Sequence, residues 1–190
     1  MPTPPVVLDA CIIIPASIRD TLLRAAAAGL YRVHWSEAIL AEVQRNLYEN
    51  GMMTEQKAAS LVGVLRRAFP DAIVSGYESL VDTMLNDPKD RHVAAAAVVA
   101  GAEVIVTANL KDFPRQALEP FGVIAQSPDD FLTDLFHRSP STLATVVAQQ
   151  AADLRAPAMT IEELLASVGK HAPTFAALVD AYLDNRKETG

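Results

Sequence analysis

Three carboxylates stand where a parallel α/β protein would place its chemistry. Asp9 closes the apolar run "PPVVL", Asp90 lies at the start of the helix-like "KDRHVAAAAVVAG", and Asp112 follows the strand-like "AEVIV" within "VTANLKDFP". In such sheets ligands bind beyond the carboxyl ends of the strands, and all three acids map to that edge. A buried, isolated carboxylate is normally paired, metal-bound or protonated. Glu42, in the helix-like "SEAILAEVQRNL", is a fourth acid to weigh. Two like charges ~4 Å apart repel by about 4 kcal/mol at an effective dielectric near 20. If the four acids converge, either protonation or divalent cations would relieve that repulsion. Hard oxygen ligands suit Mg²⁺ or Mn²⁺, not zinc. Such a centre orients a phosphate, activates water and stabilises a leaving oxygen, which is the chemistry of phosphodiester hydrolysis.

Each acid also has a local explanation. Asp9 could cap the following segment through a backbone bond. Asp90 falls in a first helical turn, where a carboxylate favours the helix dipole. It also shares a face with Ala94 and Ala97, which fits an enclosed site better than a solvated cap. Asp112 could belong to a surface turn. Glu42 lies about 120° from the centre of the Ile39/Leu40/Val43/Leu47 face, so periodicity alone makes it a solvated boundary residue. Asp87 reads as the cap of the helix whose first position is Pro88.

The elements that must position these acids follow from apolar period and punctuation. Residues 5–9 read as a buried strand, and "SIRDTLLRAAAAGL" as a helix stopped by Gly29. "YRVHW" is a second strand. Ser36 caps a helix to about Tyr48, and a further helix runs from Thr54 to the stop at Pro70. "AIVSG" is a short third strand, "AEVIVT" a fully buried fourth, and "FGVIAQ" a last. Strands alternating with helices imply parallel β/α units, an α/β sheet flanked by helices. Past Ser127 only helices are expected: "SPDDFLTDLFHR", "SPSTLATVVAQQAADL", "TIEELLASVGKH" and "TFAALVDAYLDNRKE". The expected organisation is therefore an α/β body over residues 1–127 and an all-helical C-terminal extension over 128–190.

The totals set outer bounds. The 190 residues, 51% hydrophobic and 21% charged, describe an ordinary globular chain with one good core. The net charge of −7 counts against a large passive nucleic-acid surface, though not against an enzyme whose acids hold cations. The opening "MPTPPVV" does not read as a signal peptide and no apolar run reaches membrane length, so neither a secretory leader nor a membrane span is expected. A single cysteine, Cys11, allows no internal disulfide and fits a reducing cytoplasm, the expected location.

Together "VVLDA", "SEAILAEVQRNL", "DPKDRHVAAAAVVAGAEVIVT" and "TANLKDFP" resemble a PIN-domain ribonuclease in the order and separation of the pieces, across roughly residues 5–130. The similarity is greatest to the bacterial branch of VapC-type toxins. It implies a compact parallel sheet with a metal-dependent acidic site holding Mg²⁺ or Mn²⁺. By this resemblance Asp9, Glu42, Asp90 and Asp112 are the catalytic acids and metal ligands. Asp9 and Asp90 hold the principal metal, while Thr107 and Asn109 support the site. The resemblance also implies an endoribonuclease leaving 5′-phosphate and 3′-hydroxyl ends, as the toxin of a type II toxin–antitoxin system. An RNA substrate, a cognate antitoxin and a homodimer come with it, and no membrane partner.

Cys11 departs from the pattern, standing where relatives often carry a small polar residue, so one site hydrogen bond is expected to be missing. Lys111 and Arg115 flank Asp112 and are placed to meet RNA phosphates. Trp35 and Phe113 read as core, and His92 as structural or solvent-facing. One alternative is a non-catalytic PIN-like module that binds RNA or protein. A two-aspartate phosphatase would want Asp where Cys11 stands, and a receiver domain would want an early acid pair that is absent.

Overall fold

The computed structural model describes residues 3–188, with two compact units. One is formed by Met1–Ile14 and Tyr31–Gln126, the other by Pro15–Leu30 and Ser127–Gly190.

The first unit is built on a five-stranded sheet, every neighbouring pair parallel, in the order β3-β2-β1-β4-β5. The strands are β1 (Pro5–Leu8), β2 (Arg32–Ser36), β3 (Ile73–Val74), β4 (Val104–Val106) and β5 (Ile124–Gln126). Central β1 pairs Val6 with Val33 on one side and with Val104 on the other. Val6, Val7 and Leu8 are all buried, the continuous apolar run that a doubly covered parallel strand requires. The segment expected as a third strand contributes only two residues, Ile73 and Val74.

Helix α1 (Ala10–Ile13) is a single turn after β1. Helix α3 (Glu37–Glu49) starts at Ser36, whose hydroxyl accepts the Ile39 N–H at 3.2 Å. It buries Ile39, Leu40, Val43 and Leu47. Helix α4 (Glu55–Ala68) starts at Thr54 in the same way, accepting from Lys57 N–H at 3.3 Å. Helix α5 (Arg91–Ala100) packs against β1 and β2 through buried Val93 and Ala94–Ala97. Its alanines have little side chain to hold the helix off the strands. It ends at Gly101, whose φ of +63° is the left-handed conformation that glycine adopts without steric cost.

Helix α5 begins later than its sequence suggests. Pro88 is not its first residue; Asp90 occupies the N-cap position. The Asp87 carboxylate accepts the Lys89 N–H at 3.0 Å, and the Asp90 N–H bonds the Asp87 carbonyl at 2.9 Å. Residues 87–90 thus close a turn of their own, the local competition that short acidic side chains offer a helix. The short α6 (Arg115–Leu118) lies between β4 and β5.

The second unit is helical: α2 (Ala16–Ala27), α7 (Pro128–Arg138), α8 (Pro140–Asp153), α9 (Ile161–Val168) and α10 (Pro173–Glu188). Helix α2 packs on α8 and α9. Buried Thr21 donates to Gln150 Oε1 at 2.8 Å, and Gln150 Nε2 donates to the Ser17 carbonyl at 3.1 Å. Asp129 on α7 accepts the Phe175 N–H in the first turn of α10 at 2.9 Å. Phe136 meets Phe175 and Tyr182 edge-on, with centroids 6.2 and 5.8 Å away. Thr160 and Glu163 form a reciprocal capping box at the start of α9.

Candidate functional site

The C-terminal end of β1 places the first acid. The Asp9 N–H donates to the Val106 carbonyl at 3.1 Å, extending the ladder to β4 by one residue. Its carboxylate is thereby fixed between β1 and the loop after β4, and the residue is only 3% exposed. Oδ2 accepts from Thr107 Oγ1 at 2.8 Å and from Cys11 Sγ at 3.0 Å. Both donors are themselves held: Asn109 N–H donates to Thr107 Oγ1 at 3.0 Å, and Ala108 N–H to Cys11 Sγ at 3.3 Å. The hydrogen bond expected to be missing at Cys11 is present, because the thiol supplies the donor. Burial, then the Asp9 charge, pushes that thiol up to about 12, so it stays protonated at neutral pH.

Asp90, at the N-terminus of α5, is half-buried. Its carboxyl is pushed up to about 6, first by burial, then by Asp9, Asp112, Glu42 and Asp87 in that order. The fold thus brings all four candidate acids, and Asp87 besides, into one electrostatic neighbourhood. The Asp87 N–H donates to the Asp112 carbonyl at 3.1 Å, tying the turn before α5 to the 3₁₀ turn Leu110–Asp112. Glu42 Oε2 lies 3.7 Å from His92 Nε2 on α5. Burial lowers the His92 pKa, partly opposed by Glu42 and Asp9. At neutral pH the imidazole is therefore neutral and brings no compensating charge to the acids.

The other candidates sit differently. Thr107 is fully buried and touches Asp9, whereas Asn109 is exposed and contributes its backbone N–H. Lys111 is exposed, and Arg115 is 84% exposed at its side chain, 3.8 Å from Glu119. Among the described residues, neither cation has an ion pair with the acids. Asn86 was not signalled by the sequence: a single Asn before Asp-Pro reads as a turn. It is 3% exposed, and neither polar atom of its amide has a hydrogen-bond partner among the described residues.

The donor set tests the implied cation. Carboxylate oxygens suit a hard divalent ion, and such an ion relieves the repulsion that adds to burial in raising Asp90. Among the described residues no three His, Cys, Asp or Glu side chains form a ready-made metal cluster. The fit therefore lies in donor chemistry and charge.

A five-stranded parallel sheet with acids gathered beyond its strand ends defines the class, and the chain belongs to the PIN domain family, which matches residues 5–111. Residues 128–181 match the VapC50 C-terminal domain. The chain is also similar to a protein of Mycobacterium tuberculosis (strain ATCC 25618 / H37Rv) named "Putative ribonuclease VapC50", 43% identical over 106 residues. That stretch covers 56% of this chain and 63% of the relative's length. No solved structure matches the chain. Among the described residues, no helix is long and apolar enough to cross a membrane.

Proposed function

We propose that this chain is a Mg²⁺- or Mn²⁺-dependent endoribonuclease and the toxin of a type II toxin–antitoxin pair. The observation that carries this reading is Asp90, whose carboxyl is raised to about 6 first by burial and then by four neighbouring acids. Such concentrated like charge is unfavourable for stability alone, and perturbed carboxyls of this kind cluster at functional sites. The similarity to VapC50 supports RNA as the substrate.

In this reading Asp9 and Asp90 are the principal cation ligands. Thr107 and Cys11 both donate to Oδ2 of Asp9, which would leave the other carboxylate oxygen for a cation. Glu42 and Asp112 complete the pocket and help orient the attacking water. Lys111 and Arg115 are exposed cations that meet substrate phosphates on either side of Asp112. The cation, when bound, supplies Lewis-acid stabilisation of charge developing at phosphorus. The protein works as a homodimer, and its antitoxin presents a basic or arginine-bearing segment to the acids.

Purified protein incubated with total cellular RNA tests the proposal, using Mg²⁺, Mn²⁺ and chelator arms with Asp9→Asn alongside. Cutting that needs metal, is lost in the variant and leaves 5′-phosphate ends is expected. A 2′,3′-cyclic phosphate product, or cutting that survives both chelator and variant, contradicts it. Failure to form a complex with a neighbouring-gene product would remove the antitoxin part alone.

A further inference from the structure

Helix α3 carries Glu42 toward the acids, and its outer face carries a second set of side chains that the acidic site does not use. Ala41, Gln44, Arg45 and Tyr48, with Glu55 from the start of α4, line an open cavity of about 300 Å³ within the first unit. Tyr48 is 53% exposed, so a ring face is left for a ligand. Arg45 is exposed and, among the described residues, has no ion-pair partner. At about 100° per residue, Arg45 lies about 60° round the helix from both Glu42 and Tyr48, bridging the acidic flank and the cavity. From Glu42 to Tyr48 the helix rises only about 9 Å.

We propose that this cavity is a nucleobase subsite for single-stranded RNA leading away from the acids, an inference that rests on the ribonuclease reading above. The chemistry of the lining fits a base together with its phosphate. Tyrosine offers a stacking platform that any base can use. The Gln44 amide both donates and accepts, and the Glu55 carboxylate accepts from an exocyclic amino group, so the two can read a base edge. Arg45 is the cation for the phosphate between this base and the cleavage site. With the turn of about 120° round the helix added to the rise of about 9 Å, the base bound here lies about three or more nucleotides from the bond being cut, since stacked nucleotides advance about 3.4 Å each. The subsite would give a mostly acidic protein a local foothold on RNA that its net charge of −7 does not provide.

Binding of a fluorescein-labelled 12-nucleotide random-sequence RNA tests this with chelator present, so that binding is read apart from cutting. Tyr48→Ala is expected to weaken binding about tenfold with the salt slope unchanged, while Tyr48→Phe, which keeps the stacking ring, stays within about twofold. Arg45→Ala is expected to weaken binding and flatten the slope of log K against log salt by about 0.7, one phosphate contact on a single strand. With Mg²⁺ restored, Tyr48→Ala and Glu55→Gln should alter base preference beside the cut while metal dependence persists. If wild-type protein binds and cuts RNA but these variants match it in affinity, slope and preference, the subsite is wrong and the nuclease reading stands. The subsite is equally overturned if the variants lose only a protein partner. If wild-type protein neither binds nor cuts RNA, the nuclease reading falls and takes the subsite with it.

Discussion

The two compact units bury polar groups in opposite ways. In the helical unit, Thr21 and Gln150 are almost fully buried, and each side chain has neutral partners, in two hydrogen bonds that link α2 to α8. No charged group takes part in that network, and its hydrogen bonds offset the desolvation. In the α/β unit, Asp9 is buried to 3% exposure, and its two side-chain donors do nothing to cancel the charge of Asp90, Glu42, Asp112 and Asp87. One network closes on itself; the other leaves repulsion standing. The first kind of burial stabilises a fold, whereas the second leaves a demand that an external cation can meet.

This contrast predicts opposite consequences for removing a polar group. Glu42→Gln or Asp112→Asn should cut RNA cleavage by at least about 10²-fold while leaving the melting temperature unchanged or raised. Activity and melting measured on the same preparations would check both halves. Gln150→Ala should do the reverse, costing about 2 kcal/mol, or roughly 4–8 °C in a chain of this size, with cleavage per folded molecule unchanged. A catalytic loss without a stability loss at Gln150 would break the comparison.

Two smaller effects sharpen it. Asp90 holds its proton more tightly in the folded state, near 6 against an ordinary value of 3.8. By linkage the folded state binds more protons between those values, so stability falls as pH rises through that window and is level above it. Asp90→Asn removes that loss. The variant should melt higher than wild type at pH 7.5 without divalent metal, by about 1 kcal/mol or ~2–4 °C after discounting for partial exposure. The gain should vanish toward pH 4. At Cys11, replacement by Ala should lower cleavage about tenfold by releasing one donor on Asp9 Oδ2, and Cys11→Ser should restore most of it.

Much of the α/β unit was legible because its signals are local. Ser36 and Thr54 cap α3 and α4 through the hydrogen bonds their positions predict, and the apolar run before Asp9 is the central strand. Asp9, Asp90 and Asp112 were marked by interrupting or bounding apolar segments. Glu42 carried no such mark. It sits at the flank of the α3 face, where it meets neither core nor open water but His92 of α5, and helical periodicity has no category for that. The start of α5 was misplaced because the Asp87 side chain bonds Lys89 N–H and closes a turn before the helix begins. Helix α2 shows the limit most clearly. Its pattern announces a face to bury but not the partner, and the Thr21–Gln150 bond spans 129 positions. Cys11 was legible as a departure, yet its sequence position could not show that a thiol reaches Asp9.

The most direct test of the central claim, that the gathered acids form a cation site, is thermal melting at pH 7.5 with rising Mn²⁺ or Mg²⁺, in wild type and Asp90→Asn. Wild-type melting temperature is expected to rise saturably, following RT ln(1 + [L]/Kd), with little or no rise in the variant, which starts higher. A wild-type melting temperature that ignores both cations through millimolar concentrations, or a variant that responds as strongly as wild type, would contradict it.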